Sequence, residues 1–295
     1  MKSIWVAILL AGGGAPALAQ EMPVRLKDGA TWTVTAEHTQ AAESMGPTHN
    51  WGLTTVKRVT WHAGRHGEPA TITVTPVSAK ALPGSPVEIE AARSLAIPAT
   101  LYVDDGLVPG PVINKDEVRA AFLKVAPSAK DDTTGLADAA SKAMIASELL
   151  LTSQAQGVSF KAGKSISADA EMPNPMGGPP MRAVESASLE AYDKPAGRAV
   201  IRWRRVLDPS AFKASIESML ATFQQKAPPE KVEEARQALA DAKMESQTVC
   251  RHEIDLASGL AVKTACDMTL STTLHGKSQK VAEHWAITQT VPGKP

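Results

Sequence analysis

The sequence predicts an α+β fold, a large curved antiparallel β-sheet of half-barrel type with helices packed on one face. Three observations predict it. Segments that alternate apolar and polar residues are joined by short turns, and short connections pair strands antiparallel. Two pairs of helical segments interrupt these strands, which is typical of an α+β protein. No low-complexity linker divides the chain, so residues 20–295 are predicted to form one domain.

The first residues are typical of a secretory signal peptide. A charged start at Lys2 precedes a short apolar run from Ile4 to Leu10, and small residues surround Ala19. The apolar run is too short to span a bilayer as a helix. The pattern predicts residues 1–19 as a signal peptide cleaved near Ala19, and hence a secreted, periplasmic protein.

The residue pattern in the first third of the chain predicts strands. They cover residues 31–38, 53–62, 70–77 and 99–104. Asp105-Gly106 then joins two apolar runs, which is a strong signal for a β-hairpin. Pro109 and Pro111 lack backbone N–H groups, so the second strand of this hairpin is predicted at a sheet edge or as an irregular strand.

Helices follow in two pairs. Asn114 is predicted to cap the first, with Glu117 reaching back to it, and a second runs over about 134–156. Asp208-Pro209 and Pro228-Pro229 predict the starts of the second pair. Between the two pairs lie further strands and residues 171–181, where prolines, glycines and methionines predict an irregular loop.

The two cysteines predict one disulfide in a hairpin. Ala257-Ser258-Gly259 reads as a three-residue turn, with Gly259 at positive φ. That register pairs Cys250 with Cys266, His252 with Thr264, Glu253 with Lys263, and Ile254 with Val262. An oxidising compartment favours a Cys250–Cys266 bridge. A redox or metal-binding thiol pair is disfavoured because no Cys-x-x-Cys is present.

Composition excludes several classes of function. Lysine plus arginine and aspartate plus glutamate each number 31, so no basic excess points to nucleic acid. No apolar stretch after the signal peptide is long enough to span a membrane. The sequence has no nucleophile elbow, no complete P-loop and no His-Glu-x-x-His, so we predict a non-enzymatic protein without a cofactor.

An apolar ligand in a cleft between the sheet and its helices is the function that the pattern favours. A lipid or other apolar small molecule would contact the large aromatic side chains of the strands and helices. These candidates are Trp32, Trp61, Trp203, Phe212, Phe223 and Trp285. The alternative is an envelope structural or interaction protein with a closed core, in which the same side chains only fill the interior.

A third hypothesis is a copper site. Met172, Met176 and Met181 lie in the predicted loop, and thioethers are soft ligands suited to Cu(I). The competing interpretation is that these methionines pack an irregular loop onto the core.

Alternation along the predicted strands assigns their histidines and arginines to the inward or the outward face of the sheet. His38 and His252 fall on apolar faces, whereas His284 should point away from the core. Trp203 is predicted to face inward, and Arg202 and Arg204 therefore face outward. These arginines are either a basic patch for an anionic partner or part of an ordinary charged sheet surface.

Two segments carry a resemblance. Residues 102–106 read Tyr-Val-Asp-Asp-Gly and residues 112–119 read Val-Ile-Asn-Lys-Asp-Glu-Val-Arg. With His-Glu-Ile-Asp-Leu-Ala-Ser-Gly-Leu-Ala-Val-Lys at 252–263, they are similar to uncharacterised secreted proteins of Gram-negative bacteria. The order of elements also resembles the half-barrels of periplasmic lipoprotein carriers of the LolA type, which implies an apolar cleft but assigns no functional residue.

Overall fold

The structure is a computed structural model, and the residues that it describes form thirteen strands and four helices. It describes residues 20–43, 49–65, 67–85, 97–125, 136–160, 164–172, 180–224, 228–239, 242–274 and 276–291. The strands are β1 Gln20–Glu21, β2 Thr31–Glu43, β3 His49–His62, β4 Thr71–Ala81, β5 Ala99–Val103, β6 Pro109–Val112, β7 Ser159–Phe160, β8 Ser165–Met172, β9 Met181–Asp193, β10 Arg198–Leu207, β11 Lys243–Asp255, β12 Ala261–Leu274 and β13 Lys277–Gln289. The helices are α1 Lys115–Val125, α2 Leu136–Ser153, α3 Pro209–Gln224 and α4 Pro229–Ala238.

Eleven strands form one antiparallel sheet. Their order is β6-β5-β4-β3-β2-β13-β12-β11-β10-β9-β8, and β1 pairs separately with β7. The N-terminal and C-terminal strands meet where β2 pairs with β13, as in Ala36 opposite Ile287. The predicted large antiparallel sheet with accompanying helices is confirmed. The prolines of β6 lie at one edge, as predicted, and β8 forms the other edge.

The two faces of the sheet follow from the register of its strands. One row runs across neighbouring strands through Trp203, Cys250, Cys266, Trp285 and His38. We call the face that carries this row the inner face, and the opposite face the outer face. Alternation along each strand then assigns every other residue.

Both helix pairs of the described chain pack on the inner face. Helix α2 contacts β12 and β6, and α3 contacts β11 and β9. Val118 and Leu149 join the first hydrophobic core, whose inner-face members include Trp32 and Ile201. Phe212 of α3 joins a second, smaller core with Met181, Leu207, Ile216 and Met244. The apolar interior is therefore divided into two clusters, one under each helix pair.

The cysteine hairpin has most of the predicted register. Cys250 lies opposite Cys266, His252 opposite Thr264, and Glu253 opposite Lys263. The prediction of Val262 opposite Ile254 is wrong, because the register shifts after Glu253 and Ala261 takes that place. Gly259 has φ 74°, as predicted.

Two glutamines satisfy the backbone that this shift frees. Gln156 Oε1 accepts a hydrogen bond from Ala261 N at 3.0 Å, and Gln289 Nε2 donates to Ala261 O at 3.0 Å. Gln289 Oε1 also accepts from Trp32 Nε1 at 2.7 Å. A buried backbone group without a partner costs free energy, so these two side chains allow the irregular pair to lie in the core.

The predicted disulfide is present. Cys250 and Cys266 are fully buried, with a Cα–Cα distance of 4.1 Å. That distance is typical of a non-hydrogen-bonded antiparallel pair, in which side chains approach most closely.

The predicted start of α3 is confirmed, whereas the start of α1 and the ends of the methionine loop differ in detail from prediction. Asp208 caps α3, since its Oδ1 accepts from Ser210 N at 2.9 Å. Helix α1 starts after Asn114, but Asn114 Oδ1 accepts from Thr100 N and thus ties the helix to β5. The loop predicted at 171–181 is too long at both ends, because β8 extends to Met172 and β9 begins at Met181.

Candidate functional site

The six aromatic candidates do not meet at one place. Trp32, Trp203 and Trp285 are buried in the first core, and Trp61 packs against it partly buried. Phe212 belongs to the second core. The side chain of Phe223 lies outside the described residues. The structure thus distributes these candidates over the interior, and their role in binding a ligand stays a prediction.

A strip of half-buried apolar side chains lies between the two cores on the inner face. Met268 borders the first core and Leu270 borders the second. Val281 stands opposite Leu270 on β13, and Trp51 on β3 lies in the neighbouring row. Each of these four side chains is partly exposed to solvent. Since α2 contacts β12 and α3 contacts β11, the strip runs between the helix pairs.

Sequence reasoning missed this strip because its members are ordinary apolar strand residues. Alternation along a strand does not separate half-buried from fully buried positions. That difference depends on where the helix pairs stop, which is a property of the tertiary structure.

His38 borders the strip within a group of aromatic rings. Its ring stacks on Trp285 with centroids 3.6 Å apart, and it meets the edge of Trp51 at 4.6 Å. His38 Nε2 donates to Glu283 Oε2 at 3.1 Å, and this hydrogen bond lowers the pKa of Glu283. Glu283 lies between Met268 and Gln40 in the row that continues to Trp51, so an ionised carboxylate lies within the strip and the His38 imidazole lies beside it.

One end of the strip is polar as well. The Arg205 guanidinium bonds Glu185 and lies 5.0 Å from the centre of the Trp203 ring. The stem of Arg205 shares the inner face with Trp203, as alternation predicts. Apolar surface with a few polar groups is a common design of small-ligand sites.

A buried ion pair holds α2 on the sheet. Lys57 Nζ donates to Glu148 Oε2 at 2.6 Å and to Ile145 O at 3.1 Å. Thr55 Oγ1 donates to Glu148 Oε1 at 2.8 Å. Burial alone would raise the pKa of Glu148, but Lys57 and these hydrogen bonds hold that pKa below its ordinary value. The two charged groups are bound by each other, by Thr55 and by the backbone of α2, so we assign the pair a structural role.

His252 is also buried, as predicted. Its Nδ1 lies 2.9 Å from Thr264 Oγ1, and its Nε2 has no hydrogen-bond partner among the described residues. Burial lowers the pKa of His252 from 6.5 to about 3. The imidazole is consequently neutral near pH 7.

The methionine candidates are brought together only in part. Met172 and Met181 lie opposite each other at the end of the β8–β9 hairpin and contact the second core, where Met244 also packs. Met176 lies outside the described residues. Within the described ranges, no three His, Cys, Asp or Glu residues are grouped to hold a metal. The contacts of Met172 and Met181 are those of core-filling thioethers, and the copper hypothesis stays a prediction.

The outer face carries a groove of about 710 Å³. Two adjacent outward rows form its floor: Asp267, His284, Thr39 and Gly52, then Thr269, Ala282, Ala41 and Asn50. Residues 82–85 form its side, where Ser85 Oγ accepts from Gly52 N at 2.7 Å. A Cβ on Gly52 would lie 2.6 Å from Leu82 Cδ1, so a larger residue there would require the Leu82 side chain to shift. His284 points outward, as predicted, and its Nδ1 lies 2.9 Å from Asp267 Oδ1.

No family model and no curated protein matches the chain. Among solved structures, it is similar to DynF from the dynemicin biosynthesis pathway of Micromonospora chersina, at 9% identity over 99% of this chain and 95% of that chain, with a TM-score of 0.21. It is also similar to OccK11 (OpdR) of Pseudomonas aeruginosa, at 6% identity over 92% of this chain and 99% of that chain, with a TM-score of 0.21. Likenesses at this TM-score identify neither a fold nor a function.

Proposed function

We propose that the chain is a non-enzymatic carrier or binding protein of the cell envelope that takes an apolar ligand between the sheet and its helices. The observation that supports this proposal is the strip of half-buried apolar side chains between two separate cores. Trp51, Met268, Leu270 and Val281 offer apolar surface that neither helix pair fully covers. Glu283 within the strip and Arg205 at one end would orient the ligand.

The compartment is part of the same proposal. The Cys250–Cys266 disulfide fits an oxidising environment, which for a bacterial protein is the periplasm or the exterior. Within the described ranges, no helix combines the length and the apolar character needed to cross a bilayer. An open antiparallel sheet with helices on its inner face is also the half-barrel arrangement that the resemblance to LolA-type carriers implies.

Two experiments test the proposal together. Native mass spectrometry of protein purified from a bacterial envelope is expected to detect a bound lipid or other apolar molecule. The delipidated protein should then bind 1-N-phenylnaphthylamine, an apolar dye whose fluorescence rises in apolar surroundings. Val281→Gln places an amide in the strip and should weaken dye binding by about tenfold, since a buried amide without a partner costs about 1–3 kcal/mol.

Ala282→Gln is the matched control. It makes a substitution of the same kind one residue along β13, but on the outer face in the floor of the groove. Dye binding is expected to be unchanged. Loss of binding in Ala282→Gln alone would move the ligand to the outer groove and overturn the proposed location. If neither purified nor delipidated protein binds an apolar molecule, the closed-core interaction protein replaces the carrier.

A further inference from the structure

The outer face of β9 and β10 presents cations and apolar groups side by side. Arg202 and Arg204 are exposed on β10, as alternation predicts. Val184 on β9 is 46% exposed, which makes it one of the most exposed large apolar side chains in the described chain. Val206 lies opposite Val184. We call Val184, Arg202, Arg204 and Val206 the arginine–valine patch.

The charge of Arg202 is not neutralised by the described protein. Arg202 stands directly opposite Arg251 on β11, and like charges in such cross-strand pairs are destabilising. Arg251 is held by two carboxylates, Glu190 at 3.2 Å and Glu253 at 3.8 Å. Arg202 itself makes no ion pair with any residue that the structure describes. Glu190 and Glu253 offset the charge of Arg251, so Arg202 is an exposed arginine without an ion pair in the described chain, beside one that is ion-paired.

The charge of Arg204 is also not paired with a carboxylate among the described residues. Its partner is the neutral side chain of Gln247, whose Oε1 accepts a hydrogen bond at 2.9 Å. On β9, the residues opposite Arg202 and Arg204 are Ser188 and Ser186. Because serine side chains are short, they do not cover the two guanidinium groups on that side.

The apolar part of the patch adjoins its charged part. Val184 and Val206 form a cross-strand pair two residues from Arg204 along the strand direction. Asp169 on β8 stands opposite Val184 and lies 3.8 Å from Arg182, the next outward residue along β9. The outer groove has a different lining, to which neither the two arginines nor the two valines contribute. The patch is thus part of the open sheet surface.

We propose that the arginine–valine patch is a docking surface for an anionic membrane. Exposed arginines attract phosphate-bearing lipid headgroups, and small apolar side chains beside them enter the interfacial layer. Charge complementarity selects this partner, since the chain as a whole has no net charge and the attraction must be local. This inference uses the face opposite the proposed ligand strip and does not require that strip to bind a ligand.

Vesicle flotation tests the proposal on the full mature chain. The wild-type protein is expected to float with vesicles of 30% phosphatidylglycerol in phosphatidylcholine, and to stay unbound with pure phosphatidylcholine. Added salt of about 0.5 M should release it, because exposed charges are screened. Replacement of each arginine by glutamine, R202Q and R204Q, should weaken binding about fivefold, and the double variant about twentyfold. Val184→Ser should weaken it less.

Arg58→Gln is the matched control. Arg58 is exposed on the outer face of β3, far along the sheet from the patch, and loses the same charge. The proposal is overturned if R58Q weakens vesicle binding as much as R202Q, or if the double variant binds like wild type. It is also overturned if millimolar glycerol 3-phosphate competes fully, since the site would then hold a free anion. Dye binding to the inner strip should be unchanged in all these variants, so the two proposals fail independently.

Discussion

At the scale of single residues, His252 is a titratable side chain that is fully buried. The folded chain binds a proton at this imidazole only near pH 3, whereas the unfolded chain binds it near pH 6.5. The unfolded state therefore binds more protons over this range, and stability is lost as pH falls below 6.5. Near pH 7 the neutral imidazole imposes no such cost.

We expect this difference in proton binding to appear as a slope of the free energy of unfolding against pH. Between about pH 6 and pH 5, the free energy of unfolding should fall by about 1.4 kcal/mol per pH unit because of His252. Urea denaturation at several pH values measures the slope. His252→Leu should flatten it whatever its effect on stability near pH 7. An unchanged slope in His252→Leu would contradict the assignment.

Gly259 is a second position at which the local structure depends on a single residue. Its φ is positive, and a Cβ there would overlap the backbone of Pro23 and Val24. Gly276 has a similar φ of 69° with open space around it. Gly276→Ala should therefore cost only the conformational strain, about 1 kcal/mol. Gly259→Ala should cost clearly more, because the segment at Pro23 must move; equal costs in thermal denaturation would refute the overlap.

At the scale of elements, the position of α2 depends on one ion pair. Lys57 of β3 and Glu148 of α2 are both nearly buried, so removal of either partner leaves an uncompensated charge in the interior. Lys57→Met and Glu148→Leu should each lower the free energy of unfolding by about 3–5 kcal/mol. The double variant should lose far less than the sum, because no charge is then left unpaired. Additive losses in urea denaturation would show that the pair is not coupled.

The pairing and packing of the elements are harder to predict from the sequence than features that depend on neighbouring residues. Alternation correctly placed Trp203 inward and Arg202 outward, and the capping signal at Asp208 marked a helix start, because both depend on neighbouring residues. The pairing of β2 with β13 depends on strands from opposite ends of the chain, and no local rule specifies it. The ligand strip was missed for the same reason. Whether Leu270 is fully or half buried is decided by distant helices.

At the scale of the whole molecule, one disulfide joins two neighbouring strands in the C-terminal half of the sheet. Reduction, or the double substitution Cys250→Ser/Cys266→Ser, should lower the free energy of unfolding by about 3 kcal/mol, as for a short closed loop. Thermal denaturation with and without reductant measures this effect. The serine variant should be insensitive to reductant. Sensitivity of that variant would mean that the reductant acts elsewhere.

The two ends of the sheet differ in their capacity to recruit another chain. Two of the four residues of β6 are prolines, which lack the N–H group that a new strand would pair with. Strand β8 has eight residues and no proline, so its free edge offers a continuous hydrogen-bonding template. Asp169 and Glu171 are exposed along it and repel a second copy. Within the described chain, fibril growth by strand addition would therefore start at β8, and neutralisation of these two carboxylates in acid would promote it.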